Sequence, residues 1–111
     1  MPINRIWHGW TSQGNADTYE TLLRDVVFAE IEAKKITGYR GIELLRCDHG
    51  NGTETEVEFI TIMTFDSLQS VIDFQGPDYQ TAYVPDSAQQ LLKRWDKTSG
   101  HFEVREKRQY G

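Results

Sequence analysis

Residues 3 to 12 alternate with a period of two: Asn4, Ile6, His8 and Trp10 fall on one side, Ile3, Arg5, Trp7 and Gly9 on the other. That period predicts a strand, and both of its sides carry bulky residues. From Asn15 to about Lys35 the spacing becomes helical, with Tyr19, Leu22, Leu23, Val26, Val27 and Ile31 forming a broad stripe and Gly38 just beyond as a stop. Two further strands, YRGIELLRCD and ETEVEFITIMTF, flank HGNGT, whose Asn51-Gly52 pair suits a tight hairpin turn. TFDSLQSVIDFQG then predicts a second helix, with Asp66 as its N-cap, Gln69 three residues on, one face of Leu68, Val71 and Ile72, and Gly76-Pro77 as its end. Residues 78 to 98 predict a helical turn before Pro85 and another through DSAQQLLKRW, and HFEVREKR alternates as a last strand.

The order βαββαβ, with an irregular stretch before the last strand, predicts an α+β ferredoxin-like sandwich: a four-stranded antiparallel sheet with both helices on one face. In the third strand Val57, Phe59, Met63 and Phe65 share one face while Ile60 and Ile62 share the other. Two helices cover only one face of a sheet. The other would leave a contiguous apolar patch in water, so a second copy is expected to cover it, giving a homodimer that packs sheet to sheet.

Composition narrows the remaining choices. A chain of 111 residues fits one domain, residues 1–111, with a single core. Twelve Lys and Arg against seventeen Asp and Glu give a net charge of −5, and the basic residues are scattered apart from REKRQ. No positive stripe is available to track phosphates, so no nucleic-acid partner is expected. The lone Cys47 and the absence of zinc-spaced Cys and His suit a reducing cytoplasm and predict no metal. No apolar run reaches signal-peptide length or the ~20 residues of a membrane span, so a cytoplasmic protein with no membrane partner is expected.

Candidate chemistry rests on histidines and aromatics. His101 opens the last strand, which pairs with the first in a ferredoxin-like order, so His8 and His101 become neighbours if the register allows; a one-residue slip puts them on opposite faces. They are either a base or hydrogen-bonding pair in a pocket or two satisfied sheet histidines. His49, in the hairpin turn, is expected in solvent. Trp7 and Trp10 form one aromatic group and Phe65, Phe74, Tyr79 and Tyr83 another, which either line a slot for a flat hydrophobic ligand or fill the core. Glu54, Glu56 and Glu58 alternate on what reads as a solvated strand edge, Cys47 as a buried inert thiol, and no serine sits in a nucleophile elbow.

The stretches RIWHGW, TGYRGIELLR, FITIMTFDSLQSVIDFQGPDYQTAYVPDSAQQLL and HFEVRE, in this order, resemble the antibiotic biosynthesis monooxygenase family of dimeric α/β-barrel proteins across nearly the whole chain. The resemblance implies a ferredoxin-like fold dimerising through its sheets. It also implies oxygenation of aromatic phenols or quinols by molecular oxygen with no flavin, haem or metal, the substrate's own anion reducing the oxygen. The haem-degrading branch uses a first-strand Asn with a Trp and a His on the second helical segment. Asn4 could take the first place here, but Phe74 stands where the Trp would be, and Phe74 to Val84 contains no histidine. Residue chemistry placed on the family's fold makes His8 and His101 the catalytic candidates, with Asn4, Trp10, Phe65, Phe74, Tyr79 and Tyr83 as the substrate-binding candidates and no cofactor. The rival expectation is a non-catalytic binding or stress-response barrel that holds a small hydrophobic molecule.

Overall fold

The computed structural model describes residues 1–48 and 56–111. The Asn51-Gly52 turn, His49 and Glu54 lie outside the described residues. Strand β1 (Ile3–Ser12) leads into helix α1 (Gln13–Leu22), which runs on through a π-helical turn (Leu23–Val27) into α2 (Phe28–Ala33) as one continuous helical rod. Ser12 caps the rod, its hydroxyl accepting from the Asn15 amide at 3.2 Å. Strands β2 (Tyr39–Cys47) and β3 (Glu56–Phe65) follow, then α3 (Leu68–Gln75), α4 (Asp86–Gln89), β4 (Leu92–Trp95) and β5 (Gly100–Glu103).

Antiparallel β3 lies between β1 and β2, and the other edge of β1 is shared by β4, opposite Gly9 to Thr11, and β5, opposite Ile3 to Ile6. With three helices against one face, this is the ferredoxin-like arrangement, its fourth strand position split in two. The expected four-stranded sheet is thus corrected to five strands. The split arises where LKRW, expected as the end of a helix, instead extends along β1 after one short turn of α4.

Burial alternates strictly along β1 and separates its two sides. Ile3, Arg5, Trp7, Gly9 and Thr11 are buried under the helices, while Asn4, Ile6, His8 and Trp10 are half-buried on the face turned away from them. The same split runs through β3, with Val57, Phe59, Met63 and Phe65 in the core and Ile60 and Ile62 on the open face, as the sequence pattern predicts. Tyr19, Leu23, Val27 and Ile31 bring the helical rod onto that core, whereas Val26 of the expected stripe is exposed.

Local details differ from expectation, beginning with the last strand, which ends at Glu103 where HFEVREKR was expected to continue. Ser67, not Asp66, caps α3, since its hydroxyl accepts from the Ser70 amide; Asp66 instead forms a double hydrogen bond with Arg40. Before Pro85 the chain makes one hydrogen-bonded turn, from the Thr81 amide to the Asp78 carbonyl at 3.0 Å, and then a Thr81–Thr98 bridge and the bonds from the Ala82 amide to the Lys97 carbonyl and from the Ser99 amide to the Gln80 carbonyl tie residues 79–85 down as a strap beside β5. Cys47 is exposed at the end of its strand. Glu56 is buried and, with half-buried Glu58, is engaged by basic groups instead of lying in solvent. Gly38 has φ +89°, a left-handed conformation that a side chain rarely adopts, and Ser70 packs directly over it.

Candidate functional site

The space between the helical rod, the covered face of the sheet and the strap forms a pocket. Arg5 and Trp7 supply its floor from β1, Thr61 and Met63 from β3, and Ile42 from β2. Tyr19, Leu23, Val27, Phe28 and Ile31 form the helical wall, and Tyr83, Val84, Pro85 and Ser99 close the strap side. Empty space there totals about 490 Å³ including the solvent-open mouth, while the volume a water centre can visit is about 40 Å³, room for a few waters. The walls are apolar, with Arg5, Thr61, Tyr83, Ser99 and the Tyr19 hydroxyl as its polar groups. Leu23 and Val27 are the ends of the π-helical turn, an element that recurs at functional sites because its wider winding re-aims side chains.

Arg5 is the site's unusual member. Only 2% of its surface is exposed, and among the described residues no carboxylate pairs with it. Its Nη1 donates to the Tyr79 carbonyl at 2.5 Å and its Nη2 to the Thr81 carbonyl at 2.8 Å, so the guanidinium fastens the strap to the sheet. Burial in apolar surroundings pushes its pKa down to about 10, still charged at neutral pH.

His101 stands directly opposite Arg5 across the β1–β5 ladder, its Nε2 2.9 Å from Arg5 Nη1. A guanidinium only donates, so Nε2 accepts and the imidazole is neutral. Burial first, then the Arg5 charge, lowers the His101 pKa, against a raising backbone hydrogen bond with Ser99. The consequence for stability has a definite sign. An unfolded imidazole gains its proton near pH 6.5 and the folded one only at lower pH, so the unfolded chain holds more protons in between. Stability is therefore expected to fall as pH drops below about 6.5, and His101→Gln to remove that slope, read from urea midpoints at several pH values between neutral and mildly acidic.

The two histidines are not brought together. His101 faces the helices, whereas His8 opposes Ile60 on the open face, so the expected His8–His101 neighbourhood is corrected by register. His8 holds Glu58 through Nδ1 at 2.8 Å and stacks on Trp10, whose other contact is the Arg94 guanidinium 3.8 Å from its ring. Asn4 accepts from Thr64 on that same face at 3.2 Å. Asn4, His8 and Trp10 thus share a surface away from the pocket.

The remaining candidates gather on the helix side. Phe65 is fully buried between Tyr39 and Phe74, and Phe74 meets Tyr83 edge to face with centroids 5.5 Å apart. Tyr79 lies edge-on to His101 at 5.2 Å, and Tyr83 reaches the pocket itself. Burial, and Glu30 secondarily, raises the Tyr83 pKa and keeps its phenol protonated. Sequence reasoning passed over Arg5 and Thr61: an arginine on a strand ordinarily reads as solvent-facing, and the only hint was its place on the side opposite His8. Among the described residues no group of three or more His, Cys, Asp or Glu is placed to hold a metal ion, and no helix is long and apolar enough to cross a membrane.

No family model matches the chain, and no curated protein matches it. Solved structures do. Protein SO0527 from Shewanella oneidensis matches with a TM-score of 0.56 at 14% identity, covering 91% of this chain and 90% of that one. An ethyl tert-butyl ether d (EthD) family protein from Bacillus halodurans C-125 matches with a TM-score of 0.55 at 15% identity, covering 94% of this chain and 99% of that one. The likeness is one of fold. It places the chain among ferredoxin-like α+β proteins, over nearly its full described length.

Proposed function

We propose that the chain is a cofactor-independent monooxygenase of small quinol- or anthrone-like aromatic substrates, of the antibiotic biosynthesis monooxygenase kind, with the helix-side pocket as its active site. The observation that carries this reading is a pocket with apolar walls and a few hydroxyls, lined by the π-helical turn, in a fold similar to that of the EthD family protein. The chemistry asks little of the protein. Oxidation of an activated ring CH2 to C=O delivers four electrons to O2, one oxygen entering the product and the other leaving as water, so no outside reductant is required. The pocket's tasks are to orient the ring, hydrogen-bond its oxygen through Tyr83 and Thr61, and exclude water. With its Nε2 engaged by Arg5, His101 acts as a positioning residue for the guanidinium.

Oxygen uptake by metal-free protein with a panel of anthrones and quinols tests this. At least one substrate is expected to show protein-dependent uptake, and Tyr83→Phe to slow it about five- to tenfold, the worth of one neutral hydrogen bond. Absence of uptake across the panel, or an unaffected Tyr83→Phe, defeats the reading. The tightness of the cavity favours a second reading, in which the same pocket binds a small hydrophobic molecule without turning it over. That reading predicts quenching of Trp7, which lies in the pocket floor, with no oxygen consumed.

Assembly as a homodimer through the open face belongs to the same proposal. Ile6, Ile60 and Ile62 are half-buried there, and Leu45 and Phe102 are 42% and 57% exposed. Light scattering at micromolar concentration is expected to give twice the mass of the chain, and Ile60→Lys to return the monomer. A wild-type monomer under those conditions contradicts the dimer.

A further inference from the structure

Arg5 presents a buried positive charge with no partner charge among the described residues. Burying a cation is costly unless it is paired, and the two strap carbonyls that it satisfies need donors but not a charge. Three of its five N–H donors are occupied, by the Tyr79 and Thr81 carbonyls and by His101 Nε2. Nε and one N–H of Nη2 are left, and these two nitrogens form one edge of the planar fork. Every buried side-chain nitrogen and oxygen among the described residues has a partner, so Nε, which none of those three bonds uses, is not sealed off, and Arg5 lines the pocket floor. The three occupied donors fix the fork's orientation before any ligand arrives. A second cation lies near: Lys34 Nζ sits 4.7 Å from the Phe74 ring and 4.5 Å from that of Tyr83, while Glu30 is the acidic group that acts on Tyr83.

We infer that Arg5 receives a carboxylate carried by the pocket's ligand, so that the ligand class is a flat apolar monocarboxylate with its ring against Leu23, Val27 and Ile42. Two donors on one edge match the two oxygens of a carboxylate better than the single oxygen of a phenolate. The inference rests on the reading of this pocket as the ligand site, and it concerns binding alone.

The test is titration under nitrogen, where no oxygenation occurs, with 2-naphthoate, 2-naphthol and the neutral isostere 2-naphthalenemethanol. Naphthoate is expected to bind roughly tenfold or more tightly than the methanol analogue, the value of a charge-assisted pair over a neutral one. It is also expected to move the 15Nε–H resonance of Arg5, assigned through its own side-chain carbons, whereas the methanol analogue leaves it in place. Arg5→Lys, which keeps the charge and loses the fork, should weaken naphthoate severalfold and the methanol analogue little. If that variant does not fold, the wild-type Nε shift decides. Equal affinities for the acid and the alcohol, tighter binding of naphthol than of naphthoate, or naphthoate binding with Arg5 Nε unmoved would each overturn the inference. Tight naphthoate binding by a protein that consumes no oxygen on any panel substrate leaves the inference standing and removes only the oxygenase.

Discussion

Gly9→Ala is expected to lower the free energy of unfolding by about 2–4 kcal/mol and to weaken ligand binding in the pocket with it. The Trp7 indole lies across Gly9, so an added Cβ would stand 2.4 Å from Trp7 Cη2 and 3.1 Å from Leu92 Cδ2. The first distance is one that a Cβ does not adopt, so the indole must swing away, while Leu92 need give only a few tenths of an ångström. It cannot do so freely, because its Nε1–H donates to the Asp96 carbonyl at 2.8 Å and only 8% of the residue is exposed. Overpacking of this kind costs about 1–3 kcal/mol, and loss of the indole hydrogen bond adds about 1. The displaced ring has the pocket beside it, since Trp7 already forms part of the floor. Urea unfolding measures the loss of stability, titration with 2-naphthoate the loss of binding, and the tryptophan emission the displacement of the indole; an unchanged urea midpoint would sink the argument.

Phe59→Ala is expected to cost still more, about 3–5 kcal/mol, a large share of the ~5–15 kcal/mol that holds a domain of this size together. Phe59 is fully buried and pairs with Gly9 across the β1–β3 ladder. Its ring meets Tyr19 edge to face with centroids 4.9 Å apart, and the Arg46 guanidinium lies 5.6 Å over it while bonding Asp17 and Glu20 of α1. One side chain therefore joins the sheet to the first helix, and truncation leaves a cavity lined by groups that cannot collapse onto one another. Phe59→Leu, which keeps most of the volume, should cost about 1.5 kcal/mol or less. Equal losses from the two substitutions in urea titrations would show that the site relaxes and that the aromatic contact is not what matters there.

How much of this could be read from the sequence depends on where each signal resides. The period of two in β1 and β3, the helical stripe and the glycine stops are local, and signals of this kind placed β1, the helical rod, β2, β3, α3 and the start of β5. Which side of β1 meets the helices was not legible, because Trp7 on one side and Trp10 on the other are equally bulky. The assignment is made by tertiary partners far away in the chain, Asp96 for Trp7 and Arg94 for Trp10. LKRW failed for a similar reason: Leu91, Leu92 and Trp95 satisfy helical spacing, and only the free edge of β1 turns the segment into a strand. Arg5 is the clearest case of a site residue hidden from sequence. Its meaning depends on the strap carbonyls of Tyr79 and Thr81, more than seventy residues on, which no local pattern announces.

The π-helical turn also settles a question of phase. Tyr19, Leu23, Val27 and Ile31 are spaced strictly by four, and in a regular α-helix such a row drifts about 40° around the axis at each step. Three steps would carry Ile31 well around the rod from Tyr19, off the sheet. The turn at Leu23–Val27 closes i to i+5, underwinds the backbone at the middle of that row and takes part of the drift back. The result is a straight seam of four side chains along one wall, so the spacing in the sequence and the irregularity in the helix are one adaptation, which a regular helix of the same composition would not reproduce.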